Sequence, residues 1–274
     1  MKLVKTIVII VFAASAVLYG LGAAKEQGRK DETLPTLTSD REVLEIPCDY
    51  TQQQLLEGLS AYDETDGDLT GQILTGSMSR FIETGECDLT YVVFDSANQA
   101  ATLTRRIRFT DYTSPRFSLS QPLVYRVGEG SYQETMSRIG AADPLDGDLT
   151  EWITQSASDV SYSRAGSYTM TLEVVNSFGD SVQQAFPIHV LSEEQQALTI
   201  ELSQAILYVN QGSDVEEEEL VSGVWDAQGT PVERDLVQVE SSVDTHTPGT
   251  YEVHYTVCDA QGRSGETWLI VVVE

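Results

Sequence analysis

Cysteine, histidine and basic residues are the scarce components of this chain. Its 274 residues hold 3 Cys, 3 His and 16 Lys+Arg against 43 Asp+Glu. The shortage of cations leaves a formal net charge of −27. Such a chain repels nucleic acid and anionic membrane surfaces, because both need Lys and Arg to neutralise phosphate. The acidity itself reads as a solvated surface, and so does the run Glu216 to Glu219. Catalytic patterns are also missing. There is no His-Glu-x-x-His, no Gly-x-Ser-x-Gly, no phosphate loop and no Cys-x-x-Cys. His189, His246 and His254 have no Ser or Cys nucleophile at a recognisable spacing. With 43 acids in the chain, a carboxylate pair says nothing about glycosidase chemistry. An enzyme is therefore not expected. Nor does any stretch after residue 30 have convincing helical length and period.

What is present begins with a segment unlike the rest. Lys2 and Lys5 precede an uncharged run, Thr6 to Ala24, rich in Ile, Val, Ala and Leu. At about 1.5 Å per helical residue it crosses most of a hydrocarbon core roughly 30 Å thick. Residues 1–24 are thus a transmembrane anchor, or else a signal peptide cut near Gly22 and Ala24. Both readings export the remainder of the chain. An anchor gives a single-pass position on the cell membrane with extracellular domains, and a cut signal peptide gives secretion. Residues 25–37 read as a linker, within which Leu34-Pro-Thr-Leu-Thr38 resembles a sortase signal without its glycine.

Three stretches beyond that point repeat one pattern. Gly85, Gly166 and Gly249 are each followed ten residues later by Asp95, Asn176 and Asp259, and each second strand ends 24 residues past the glycine, at Phe109, Val190 and Val273. Within the copies, Tyr168, Met170, Leu172 and Val174, and likewise Tyr251, Val253, Tyr255 and Val257, alternate with polar residues. Period two with β-branched and aromatic residues is a half-buried strand. The same alternation turns His189 and His254 to solvent. Asn176-Ser-Phe-Gly179 and Asp259-Ala-Gln-Gly262 have tight-hairpin composition. A second element precedes each hairpin: Ala61-Tyr-Asp-Glu-Thr-Asp-Gly-Asp-Leu-Thr70, then Ala141-Ala-Asp-Pro-Leu-Asp-Gly-Asp-Leu-Thr150. The third copy keeps only Asp226 of its aspartates. Short strands with frequent turns in units of about 80 residues indicate an all-β fold of three antiparallel β-sandwiches. The boundaries fall at 38–110, 111–191 and 192–274. Short links predict that the sandwiches string out end to end.

These motifs, Ala-x-Asp-x-x-Asp-Gly-Asp-Leu-Thr followed by Gly-x-Tyr-x-Val-x-Tyr-x-Val-x-Asp, resemble the bacterial surface Ig-like domains. That group includes the Ig-like domain first described in a pesticidal crystal protein and the related hyalin-repeat modules. The resemblance covers residues 38–274 and is loosest in the third copy. It implies extracellular Ig-like modules used as stalk, spacer or adhesion units, and it implies no catalytic residues. The expected function is a membrane-tethered rod with an unidentified protein or cell-wall glycan partner; the alternative is a carbohydrate- or cell-wall-binding module. Trp152, Trp225 and Trp268 do not share a repeat position, which speaks against a repeated sugar platform.

The repeats also raise two site expectations. Asp63, Asp66 and Asp68, repeated by Asp143, Asp146 and Asp148, are candidate calcium ligands, since carboxylates on a glycine turn suit an oxygen-seeking ion. Asp and Gly are equally ordinary turn residues. Cys48 and Cys87, two cysteines within the first copy, are a candidate disulfide in an exported protein, with two buried thiols as the alternative.

Overall fold

The computed structural model describes residues 15–17, 33–192 and 195–274. The Thr6–Ala24 run lies outside the described residues except for Ser15–Val17. Among the described residues no helix is long and apolar enough to cross a membrane. The chain divides into two compact units, one ending at Thr110 and one spanning Asp111–Glu274.

The first unit contains β1 (Thr36–Ser39), β2 (Val43–Ile46), the short helix α1 (Gln52–Leu55), β3 (Leu59–Asp63), β4 (Gly67–Asp68), β5 (Leu74–Met78), β6 (Glu86–Phe94) and β7 (Ala100–Phe109). They form two sheets, β1-β3-β4 and β2-β7-β6-β5. The alternating apolar positions Cys87, Leu89, Tyr91 and Val93 of β6 are fully buried. They share the interior with Leu44, Leu59, Ala61 and Ile107. β1 starts at Thr36, inside the stretch read as linker.

The second unit repeats this order twice, the second time without an α-helix or the two-residue strand. Its first half has β8 (Arg116–Leu119), β9 (Val124–Arg126), α2 (Tyr132–Arg138), β10 (Ile139–Asp143), β11 (Gly147–Asp148), β12 (Thr154–Ser158), β13 (Gly166–Val175) and β14 (Ser181–Leu191). Its second half has β15 (Leu198–Leu202), β16 (Ile206–Val209), β17 (Val221–Asp226), β18 (Val237–Ser241), β19 (Gly249–Cys258) and β20 (Ser264–Val273). The sheets are β11-β10-β8 with β12-β13-β14-β9, then β15-β17 with β16-β20-β19-β18. In each half, one apolar cluster draws on both sheets, as face-to-face packing requires.

The structure corrects several expectations. The sheets are not wholly antiparallel: β2 runs parallel to β7, β9 to β14 and β16 to β20. The opening segment of each repeat is split, its first part pairing in one sheet and its second part crossing to the edge of the other. The crossing strand keeps its direction and so meets the last strand in parallel. Tyr168 and Tyr251 are only partly buried. They sit at the strand end, where each hydroxyl donates to the carbonyl four residues back, Arg164 and Thr247 respectively.

The two short helices have no periodic sequence signal because they are too brief to show one. Their caps are polar: Thr51 and Gln54 form a capping box on α1, and the Ser131 side chain caps α2. Beside the end of α1 lies a buried cation, Arg105. Its guanidinium donates to the carbonyls of Leu55 and Glu57, to the Ser39 hydroxyl and to the Tyr91 hydroxyl, and it stacks over the Tyr91 ring. The carbonyls at a helix C-terminus are suited to such a donor. Only its Nε is buried without a partner among the described residues.

Nor are the second and third repeats strung end to end. Ile270, from the outer face of β20, is 3% exposed and belongs to the apolar cluster of the first half of the unit, with Val272 and Ile206 packed against it. Tyr208 accepts a bond from the Phe117 N–H at 2.9 Å, and burial pushes its phenol up to about 12. Arg116 lies over the Tyr208 ring and pairs with Glu274. This shared apolar contact predicts that residues 111–274 unfold in one cooperative transition. Ile270→Ala should destabilise both halves together by about 2–5 kcal/mol. Two separable transitions in urea, with only the later half affected, would contradict the shared core.

Candidate functional site

The repeated aspartates lie where two tight turns meet at one end of each sandwich. In the second repeat, β10 ends at Asp143, which is buried. Its Oδ1 accepts from the N–H groups of Leu145 and Asp146 at 2.9 and 2.7 Å, so the carboxylate shapes the turn into β11. Its Oδ2 accepts from Asn176 Nδ2 at 2.7 Å. Asn176 opens the β13–β14 hairpin and is itself buried; its Oδ1 accepts from the Asp180 N–H. Asp146 reaches across to the same hairpin, accepting from the N–H and hydroxyl of Ser177. Asp148 caps the following turn through the Thr150 N–H at 2.9 Å. Tyr112 closes the cluster, donating to Asp180 and accepting from Asn176.

The first repeat has the same arrangement. Asp63 Oδ1 accepts from Thr65 and Asp66 N–H, Asp66 from Ser96 N–H, and Asp68 from Thr70 N–H. Asp95 holds the hairpin through Ala97 and Gln99 N–H. The third repeat has Gly229 where the others have Asp66 and Asp146, and a hairpin cation makes the link instead. Arg263 donates to Asp259 at 2.6 Å and to Asp226 at 3.3 Å, tying the hairpin to the preceding turn by charge. Each hairpin has one left-handed residue at the same place: Asn98, Gly179 and Gly262, at φ 61°, 84° and 81°. Asn and Gly are the residues that adopt this conformation readily.

The six candidate calcium ligands are thus engaged in holding the turns. Among the described residues no group of three or more His, Cys, Asp or Glu is arranged to hold a metal. Hydrogen bonds from the Thr70 and Thr150 hydroxyl and N–H hold Asp68 and Asp148 below 3.8, the ordinary carboxylate value. For Asp259, burial pulls upward, but the N–H and guanidinium of Arg263 outweigh it and the carboxyl is held low.

Of the candidate disulfide pair, Cys87 is fully buried and its thiol is pushed up to about 11 by burial. Cys48 is partly buried. Burial raises the Tyr50 phenol first, and Cys87 and Cys48 add to the shift.

A second polar cluster, between the two halves of the second unit, carries no sequence signal. His189 was expected in solvent but is buried, because β19 and β20 cover that face of β14. Its Nε2 lies 2.6 Å from Glu252 and its Nδ1 3.0 Å from the Ser167 hydroxyl. Trp268 stacks on its ring at 3.8 Å and on that of His254 at 4.2 Å. His254, also expected in solvent, is partly covered and paired with Glu266 at 3.1 Å. Ser167, His189 and Glu252 form one line of polar contacts through the imidazole, and the indole of Trp268 is stacked against both histidine rings. The arrangement joins two modules: Glu252 and Trp268 come from the third repeat, which is why no spacing within one repeat reveals it.

Residues 202–268 match the family described as bacterial surface protein, Ig-like domain. Among curated proteins, the chain is 30% identical over 219 residues to the pesticidal crystal protein Cry22Aa of Bacillus thuringiensis, covering 78% of this chain and 29% of that protein. The chain thus spans less than a third of that relative's length. Among solved structures, Drosophila N-cadherin EC1-3 is 9% identical, with 90% of each chain covered and a TM-score of 0.30. The M60 catalytic domain with two CBM51 domains from Clostridium perfringens ZmpB is 14% identical, covering 89% of this chain and 31% of that one, with a TM-score of 0.25. Neither structural likeness extends to function.

Asp143→Ala leaves two N–H groups and the Asn176 amide without their acceptor, and should cost on the order of 2–3 kcal/mol in urea unfolding. Because the folded values of Asp68, Asp148, Asp226 and Asp259 are depressed, their stabilisation is complete above the unfolded value and lost as pH falls through the folded one. The denaturation midpoint should hold from about pH 7 to 5, fall as pH drops below the ordinary carboxylate range, and fall less steeply in Asp148→Asn. Calcium at millimolar concentration should leave the melting temperature where a chelator leaves it; a rise abolished by Asp66→Asn would place the ion on these turns. For the cysteines, peptide mapping of protein exported under oxidising conditions should recover Cys48 linked to Cys87, and alkylation of both in the native state would reject the bond.

Proposed function

We propose, from the match of residues 202–268 to the bacterial surface Ig-like family, that it is an exported, non-catalytic protein whose modules space and present an interaction surface outside the cell. The observation that carries this reading is the contact between the second and third repeats. There a buried histidine, a stacked indole and shared apolar side chains turn two modules into one body. A fixed relative placement is useful to a spacer or adhesion unit. The division into modules at 38–110, 111–191 and 192–274 is part of the proposal, as is tethering through the uncharged run Thr6–Ala24 behind Lys2 and Lys5. Cleavage of that run would instead give a secreted form.

A second reading, binding of a cell-wall or other saccharide, is favoured by the partly exposed indole of Trp225, which stands over a cleft.

The test is made on intact cells. Protease added outside should remove the Ig-like modules, the chain should fractionate with membranes, and its N-terminus should lie at the beginning of the sequence rather than near Lys25. A fluorophosphonate probe should leave Ser167 unlabelled. A chain resistant to external protease, or labelled at Ser167, would overturn the proposal.

A further inference from the structure

We propose that the cleft between the β15–β17 sheet and the turn joining β8 to β9 binds a neutral saccharide, with the Trp225 indole as the platform for one sugar ring. Trp225 stands on the outward face of β17 and is 37% exposed. Two contacts fix its ring. Gly223, two residues earlier on the same face, leaves room for the indole to lie down: a Cβ there would come within 3.2 Å of Nε1 and 3.3 Å of Cε2 and Cζ2. At the ring's edge, Nε1–H donates to Glu201 Oε2 at 3.0 Å, across the strand pair in which Glu201 faces Gly223. One face of the indole therefore rests on glycine and its edge is pinned by a carboxylate.

A cavity of about 480 Å³ lies over this sheet, with Thr199, Glu201, Gln204 and Trp225 on one side and Leu119 and Pro122 on the other. That volume falls within the range of small-molecule sites, roughly 300–1,000 Å³. The lining mixes a flat aromatic surface with hydroxyl, amide and carboxylate groups, and its guanidinium, Arg138, is engaged by Glu134 and the Pro122 carbonyl. A pyranose has the matching chemistry: one face of C–H bonds that covers an indole, and a rim of hydroxyls that must keep hydrogen bonds when desolvated. Glu201 beside the platform, in a chain of net charge −27, disfavours a carboxylated or sulfated sugar and leaves neutral or N-acetylated ones. Both walls belong to one compact unit, so the site is formed before the ligand arrives. No single repeat contains it, which explains why the tryptophans need no common repeat position.

The inference deepens the surface-protein reading but is tested apart from it, with purified full chain in detergent and soluble sugars. Calorimetric titration would use neutral glucose, mannose, galactose and N-acetylglucosamine trisaccharides, with a sialylated trisaccharide as the anionic probe. We expect saturable binding of at least one neutral trisaccharide and none of the sialylated one. Affinity should fall at least tenfold in Trp225→Ala and in Gly223→Val, which lifts the indole while keeping it, and should be unchanged in Trp152→Ala, whose indole is exposed elsewhere. Melting curves identify any variant that fails to fold, and Glu201→Gln then serves in its place with a smaller loss. Absence of binding to every neutral probe, or equal affinity in Trp225→Ala and Gly223→Val to that of the unaltered chain, would overturn the site while leaving the protease result on cells unaffected.

Discussion

The buried carboxylate or amide that opens each long hairpin is the constraint on which the rest of the structure depends. A sandwich needs its two sheets held in register at an end where neither sheet's own ladder can reach the other. Here Asp95, Asn176 and Asp259 organise the hairpin of one sheet, and Asp63, Asp143 and Asp226 organise the turn of the other. In the second repeat the two meet through one amide–carboxylate bond; in the third they meet through the Arg263 guanidinium. Desolvated polar groups are costly unless paired, so each turn fixes the other. The constant ten-residue interval between glycine and Asp or Asn is a consequence: one residue more would flip every side chain of the strand to the opposite face.

The elements most legible in the sequence were those governed by local rules. Alternation marked β6, β13 and β19, and turn chemistry marked the hairpins and their left-handed position. The aspartate clusters were visible too, but residue type does not record where backbone N–H groups point, and the fold aims several of them at these carboxylates.

Features that rest on long-range packing were illegible for a consistent reason. The parallel edge strands arise because a short segment changes sheets, and nothing in the four residues Val43–Ile46 records which neighbour they will find. Arg105 resembles Arg106 and Arg108 in sequence, yet it alone of the three is buried, filling the space at the end of α1. His189 alternates with core residues as a solvent-facing side chain should; it is buried because another module covers that face. Periodicity reports which side of a strand faces its own core and is silent about what covers the other side.

The parallel pairing of the short second strand of each repeat with its last strand has a mechanical consequence. In the opening repeat β2 lies beside β7 in parallel, and β9 and β16 do the same beside β14 and β20. When the chain is pulled from its two ends, tension enters such a pair at opposite ends and runs along the strands. The hydrogen bonds between them are then loaded in shear, all at once, rather than peeled open one after another as in an antiparallel hairpin pulled at its free ends. A protein built this way resists stretching at the place where each module begins and finishes, and the hairpin turns beyond that clamp carry little of the load.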